Sequence, residues 1–288
     1  MTFRTARILV VALTLAGCAT PAPHPQKRAE PFPPTEQVEG LRLPFDAYTL
    51  SLSGLYTVAN AQDLLTRECM AARGEAWEII ERPTDLADLR NRRRYGVIEP
   101  GIAEHFGYHV PEGLLTPGDI EQRYDARDRV LSETQTAALS GAGGCTAEAV
   151  TRLRPARKPD RKVDQGLVER LSQQSLVDSQ GRPEVKQALG KWRDCLREWG
   201  FSYPGPFAAM SDPAWWTTEA APPSESERAV AVADVRCKER TGLVARWYVA
   251  ETALQQAEIR RRPAYFQALG LGLADELAAA EAVSPPGR

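Results

Sequence analysis

Histidines and cysteines are the residues of this chain that could form a nucleophilic or metal-binding site. A nucleophilic hydrolase needs an activated serine or cysteine with a base in reach. The chain has three histidines, and His24 lies in a proline-rich stretch. A Ser-His-Asp site would therefore have to use His105 or His109, and no G-x-S-x-G motif accompanies them. The sequence disfavours this kind of hydrolysis.

His105 and His109 are also four residues apart, a spacing at which two histidines on one helix face bind zinc. The segment 104–111 contains Gly107 and Pro111, which favour a turn, and it lacks the H-E-x-x-H motif. We interpret the pair as part of a surface loop, and we expect no metal and no other cofactor.

Other chemical groups are less specific. Carboxylates are abundant, so the sequence does not exclude a catalytic pair like that of a glycosidase, but it singles out no particular pair. The segment 141–144, Gly-Ala-Gly-Gly, lacks the lysine of a phosphate loop and favours a tight turn before Cys145. Two basic runs, 90–94 and 152–162, fit solvated faces, and contact with anionic lipid or wall polymer is the alternative. We predict that the chain is not an enzyme.

The first eighteen residues carry a signal for export. Arg4 and Arg7 precede an apolar run that is shorter than the roughly 20 residues a membrane helix needs. Residues 15–18, Leu-Ala-Gly-Cys, resemble the lipobox of bacterial lipoproteins. The resemblance implies cleavage after Gly17, acyl chains such as palmitate attached to Cys18, and a protein held on the outer face of the cell membrane. An ordinary signal peptide with a chance cysteine is the alternative.

The composition of the chain and the positions of its prolines and glycines suggest four segments. We predict a signal peptide at 1–17, the lipidated cysteine and a disordered proline-rich tether at 18–45, a first helical half at 46–160, and a second half at 161–288 that ends in a disordered tail. The net charge of −2 gives no reason to expect a nucleic-acid partner.

The four remaining cysteines predict two disulfides, because an even number in an oxidising compartment usually pairs. Residues 67–77 and 193–203 share the pattern R-[ED]-C-[ML]-x-x-x-G-x-x-[WY], which is typical of a helix end with a left-handed glycine cap. Spacing alone leaves three connectivities open. If each half is self-contained, Cys69 pairs with Cys145 and Cys195 with Cys237.

An all-α fold is predicted, a disulfide-braced helical bundle of two related halves. The predicted helices are 48–73, 86–94, 117–139, 145–153, 163–176, 183–199, 224–261 and 264–280. The long 224–261 helix opens with Ser224 and Glu227 in the spacing of a capping box. The segment 201–223 is a proline- and aromatic-rich connection. Its Trp215 and Trp216 either cap the helical core or form a candidate binding surface.

The cysteine, glycine and aromatic elements together resemble a set of uncharacterised actinobacterial lipoproteins. The resemblance rests on C-M-x-x-x-G at 69–74, Arg-Tyr-Gly at 94–96, Gly-Gly-Cys at 143–145, W-x-x-C-[ML]-x-x-x-G at 192–200 and the Ala-Asp-x-x-Cys-Lys segment at 233–238. It implies an extracytoplasmic helical protein and no particular activity.

The sequence therefore predicts a lipid-anchored lipoprotein with a non-catalytic binding or scaffolding role in the cell envelope. Its expected partners are the membrane, through the anchor, and an envelope protein or polymer. A cell-wall hydrolase that uses an unrecognised carboxylate pair is the main alternative. A small-ligand receptor is disfavoured, because the chain lacks the alternating strands and helices of two α/β lobes.

Overall fold

The computed structural model describes residues 32–154, 164, 166–217 and 222–284. In this part of the chain the secondary structure is helical throughout, with no strand, so the predicted all-α class is confirmed. The predicted signal peptide, Cys18, most of the 152–162 basic run and the end of the predicted tail lie outside the described residues.

The described residues form twelve α-helices and two 3₁₀ turns, joined by loops. The helices are α1 Glu36–Glu39, α2 Leu52–Ala72, α3 Pro100–Phe106, α4 Ile120–Arg129, α5 Glu133–Leu139, α6 Cys145–Arg152, α7 Gly166–Gln180, α8 Pro183–Glu198, α9 Pro206–Met210, α10 Glu225–Thr241, α11 Leu243–Arg261 and α12 Pro263–Val283. The 3₁₀ turns are Pro44–Tyr48 and Pro213–Trp215. No helix among the described residues combines the length and the apolar composition needed to cross a bilayer.

The predicted end of the tether at residue 45 is wrong, because the chain is already packed before that point. Val38, Leu41, Leu43 and Phe45 are all buried. The backbone N–H of Phe45 donates to Oε1 of Gln255, 3.0 Å away in α11. Apolar side chains hidden from water stabilise this segment against the body, so the described residues from Phe32 onward belong to the compact unit.

The predicted 224–261 helix is two helices. Gly242 adopts a left-handed conformation (φ +61°) and ends α10, and α11 begins at the next residue. This backbone conformation suits glycine at a helix end. The predicted apolar face is nevertheless buried, since Val230, Cys237, Val244 and Trp247 all lie in the core.

Two further helix predictions need correction. The predicted 86–94 helix is a series of turns in which the amide of Arg94 bonds to the carbonyl of Asn91 and that of Gly96 to Arg93. The predicted 117–139 helix is interrupted between α4 and α5. Ser132 starts α5 with a complete capping box, its hydroxyl accepting from the amide of Gln135 and the Gln135 side chain accepting in return.

Helix packing crosses between the two predicted halves. Helix α2 packs against α6 and α12, while α10 packs against α3 and α8. Helix α3 runs antiparallel to α10: the backbone N–H of Tyr108, just after α3, meets Glu227 at the start of α10, and the carbonyl of Val97, just before α3, meets Lys238 near the end of α10. The halves are therefore interleaved.

The two disulfides follow the predicted pairing. The Cα atoms of Cys69 and Cys145 are 5.5 Å apart, and those of Cys195 and Cys237 are 5.7 Å apart. The first bridge joins α2 to the start of α6, and the second joins α8 to α10. Each cysteine is buried, as the helix-end pattern predicts.

The helix-end pattern itself is confirmed at both positions. Gly74 has φ +79° and Gly200 has φ +85°, which is the left-handed conformation expected of the glycine cap. Trp77 folds back beside the first disulfide, and its indole Nε1 lies 3.4 Å from Oδ1 of Asp63 in α2.

Candidate binding surface at the start of helix α10

Glu227 is buried at the first turn of α10, and its role differs from the one predicted. The hydroxyl of Ser224 accepts from the Glu227 backbone N–H at 3.1 Å, as a helix cap should. The Glu227 carboxylate, however, turns inward and accepts from the backbone N–H of Tyr108 at 2.8 Å. The reciprocal half of the predicted capping box is therefore wrong, because a tertiary partner takes the carboxylate.

His109 is the second partner of this carboxylate. Its Nδ1 lies 2.8 Å from Oε1 of Glu227. Gly107 permits the approach, because a Cβ at that position would lie 2.5 Å from the same oxygen and because its φ of +58° suits glycine. The chain therefore reverses direction after α3 and presents the imidazole to the start of α10.

The imidazole and the carboxylate each keep one buried atom without a hydrogen bond among the described residues. These atoms are Nε2 of His109 and Oε2 of Glu227. A histidine whose Nδ1 donates to a carboxylate has the orientation of a general base, with Nε2 as the atom that takes a proton. The His109–Glu227 pair is therefore the arrangement in this region that could take part in acid–base chemistry.

Trp216 covers the imidazole from the outside. The ring centroids of His109 and Trp216 are 4.5 Å apart with a 33° tilt. The indole Nε1 of Trp216 donates to the carbonyl of Met210 at 3.1 Å, and the side chain is 46% exposed. An aromatic ring that is held on one side and open to water on the other is a ready contact surface.

Trp215 takes the first of its two predicted roles, capping the core, and does not share this surface. Its side chain is buried in a cluster with Tyr108, Leu114 and Val230, and its Nε1 donates to the carbonyl of Ala209 at 2.7 Å. The two tryptophans therefore divide the two predicted roles: Trp215 caps the core and Trp216 faces solvent.

Phe32 enters the body at the same end of α10. Its ring packs edge-on against Phe106 at the end of α3, with centroids 5.2 Å apart. Its carbonyl accepts from Nη2 of Arg92 at 2.8 Å. Tyr108 and Leu114 belong to the same cluster as Phe32 and Phe106, and the nearby loop residues Val110 and Leu115 are both well exposed. We call Trp216, Val110 and Leu115 the apolar end surface.

A buried ion pair fixes the other end of α10. Nζ of Lys238 lies 2.9 Å from Oδ2 of Asp234 and 2.8 Å from the carbonyl of Val97. The other carboxylate oxygen accepts from Nε1 of Trp192 at 3.0 Å. Burial raises the pKa of Asp234 and lowers that of Lys238, while their mutual attraction opposes both shifts. Burial, followed by the Asp234 charge, also raises the pKa of Tyr108 well above its usual range.

The first basic run is internal, which corrects its interpretation as a solvated face. Arg92 is 2% exposed and forms a two-pronged ion pair with Glu99, at 2.8 and 2.9 Å. Arg93 donates to the carbonyl of Tyr108 at 2.6 Å, and Arg94 pairs with the buried Glu251. Three consecutive arginines thus brace three separate elements, so they are not available to lipid or polymer.

His105 and His109 are not a pair in space. His105 lies in α3 and is exposed, whereas His109 follows that helix and bonds to Glu227. Within the described ranges no group of three or more His, Cys, Asp or Glu side chains is arranged to hold a metal ion. The segment 141–144 turns tightly before Cys145, with positive φ at Gly141 and Gly143.

Sequence reasoning missed the parts of this site that depend on long-range contacts. Glu227 was assigned to a cap, and Phe32 to the tether. The available signals were weak: a glycine between two aromatics at 106–108, and a carboxylate that has both a local and a distant use.

Comparisons of the chain with protein-family models, with curated proteins and with solved structures find no match in any of the three. The resemblance to actinobacterial lipoproteins therefore stays a prediction.

Proposed function

We propose that this chain is an exported lipoprotein, anchored through Cys18, whose helical body has a non-catalytic binding or scaffolding role in the cell envelope. The observation that carries the binding role is the preorganised Trp216, which is stacked on His109 and open to solvent. Its geometry is fixed from below, because His109 is bonded to the buried Glu227. A rigid aromatic loses little conformational freedom on contact, which favours binding.

The two disulfides support the extracytoplasmic part of the proposal. Disulfides persist in oxidising compartments and are rare in the cytosol. Each bridge here is buried between helices and closes a long loop, of 76 and 42 residues in sequence separation. In the chain-entropy model, a disulfide that closes such a loop stabilises the folded protein by about 4 kcal/mol, because it restricts the unfolded chain.

Photo-crosslinking in intact cells tests the binding role. A photoreactive phenylalanine derivative replaces Trp216 in one variant and Trp199 in another, and mass spectrometry identifies the adducts. Trp199 is a matched control, because it is 50% exposed and lies at the opposite end of α10, beside the Arg240–Glu198 pair. We expect position 216 to capture an envelope protein, polymer or lipid that position 199 does not. Identical adducts, or none from either position, would count against the proposal.

The hydrolase alternative is supported by one specific observation, the His109–Glu227 hydrogen bond. It differs from the predicted carboxylate pair, since the buried acids Asp63, Glu99, Asp234 and Glu251 are each within ion-pair distance of a basic side chain. Release of soluble fragments from purified cell wall by the wild type, but not by a His109→Asn variant, would establish this alternative. Equal activity in both, or none, would remove it.

A further inference from the structure

We infer that the apolar end surface lies against the outer face of the membrane that holds the lipid anchor. The occupant of this surface is therefore the lipid bilayer itself. The inference rests on the proposed lipidation of Cys18, and it adds an orientation and a contact that the anchor alone does not require.

The chain joins the helical body close to the apolar end surface. Phe32 lies fourteen positions after Cys18 in the sequence. At about 3.1 Å per residue, even a fully extended proline-rich spacer reaches only about 43 Å. Phe32 is itself fixed, by its ring contact with Phe106 and by the hydrogen bond from Arg92 to its carbonyl. A lipid anchor at Cys18 would therefore keep this end of the body within about 43 Å of the bilayer.

This end of the body exposes three apolar side chains. Trp216 is 46% exposed, Val110 52% and Leu115 44%. Tryptophan is enriched where membrane proteins meet the headgroup region, because its ring is large, apolar and polarisable. The indole N–H of Trp216 is already bonded to the carbonyl of Met210, so the ring enters the interface without an unpaired donor.

Ionisable side chains of both signs lie near this surface. Glu104 at the end of α3 and Glu225 at the start of α10 are exposed. Arg93 donates to the carbonyls of Tyr108 and His109, and Arg228 donates to that of Pro223. Because charges of both signs are present, the contact depends on the apolar and aromatic groups, and it should change little with the anionic fraction of the lipid.

The experiment uses the full-length lipidated chain, reconstituted in phosphatidylcholine vesicles with bromine on the acyl chains. Bromine quenches tryptophan emission only at short range, so it reports which indole meets the lipid. We expect the wild type and Trp199→Phe to be quenched alike, and Trp216→Phe to lose most of the lipid-dependent quenching. In vesicles that also contain anionic lipid, the wild-type quenching should change little.

A second pair of variants keeps all tryptophans in place. Val110→Ser should reduce the quenching of Trp216. Val177→Ser should not, because that residue is exposed in α7, away from the apolar end surface. Near-UV circular dichroism establishes that each variant is folded.

Equal quenching in Trp216→Phe and Trp199→Phe would overturn the inference, as would an absence of lipid-dependent quenching in the wild type. The mass of the amino-terminal peptide, measured on the same sample, distinguishes a failure of lipid anchoring from a failure of the membrane contact. An unmodified Cys18 would refute the proposed anchoring. A lipidated Cys18 without quenching of Trp216 would refute the membrane contact alone.

Discussion

Replacing Lys238 by methionine tests whether the buried ion pair stabilises the helical body. The side chains of Lys238 and Asp234 are 2% and 0% exposed. Methionine fills similar space but leaves the Asp234 carboxylate buried without its cation. Removing one partner of a buried pair costs about 3 to 5 kcal/mol. Near the unfolding temperature of a domain this size, that corresponds to a decrease in Tm of about 6 to 20 °C.

The matched control is Arg240→Met on the same helix. Arg240 pairs with Glu198 at 2.8 Å, but these side chains are 51% and 65% exposed. An exposed pair contributes about 0 to 1 kcal/mol, because water screens it and two long side chains must be held in place. The two variants therefore differ in burial far more than in chemistry.

Urea unfolding followed by tryptophan fluorescence, with the disulfides intact, gives the free energy of unfolding for both variants. A double variant, Asp234→Asn with Lys238→Met, should recover part of the loss, since the amide keeps an acceptor for Trp192 and removes the buried charge. Surface substitutions usually change the free energy of unfolding by less than about 1 kcal/mol. If the free energies of unfolding of Lys238→Met and Arg240→Met differ by less than that, the buried pair contributes no more than the exposed one.

Three further predictions concern backbone conformation, capping and titration. Gly107→Ala should lower the Tm more than Gly74→Ala: both force alanine into positive φ, at about 1 to 2 kcal/mol, but only at position 107 does the new Cβ meet the buried glutamate. Ser132→Ala should cost about 1 kcal/mol of unfolding free energy by removing the cap of α5, and an unchanged urea midpoint would contradict this. Burial and the hydrogen bond to Asp212 raise the pKa of Tyr203 to about 12, so this tyrosine stabilises the fold below pH 10 and the effect is lost as the pH rises toward 12. In a tyrosine NMR titration, Asp212→Asn should lower that pKa, and an unmoved value would show that burial alone sets it.

Local features of the fold could be predicted because their signals lie within a few residues. The glycine caps at Gly74 and Gly200 follow from one helix-end pattern, and the disulfide pairing followed from the repetition of that pattern. Ser132 and Gln135 also carry a local capping signal, which was overlooked inside a longer predicted helix. The break at Gly242 is similar, since a single glycine interrupts a periodicity that continues on both sides.

The candidate surface could not be predicted, because its contacts are distant in sequence. Glu227 and His109 are 118 residues apart, and Arg94 and Glu251 are 157 apart. A run of arginines has the same composition whether it faces water or three buried partners. Only the tertiary structure decides which carboxylate reaches which arginine, and this is why a buried brace was interpreted as a solvated face.

Lipid anchoring is decided by the mass of the amino-terminal peptide, measured on protein purified from the membrane fraction. We expect a peptide that begins at Cys18 and carries a diacylglyceryl group, and we expect a Cys18→Ala variant to be lost from the membrane fraction. An unmodified cysteine in a chain that keeps residues 1–17 and stays inside the cell would show that the protein is not a lipoprotein.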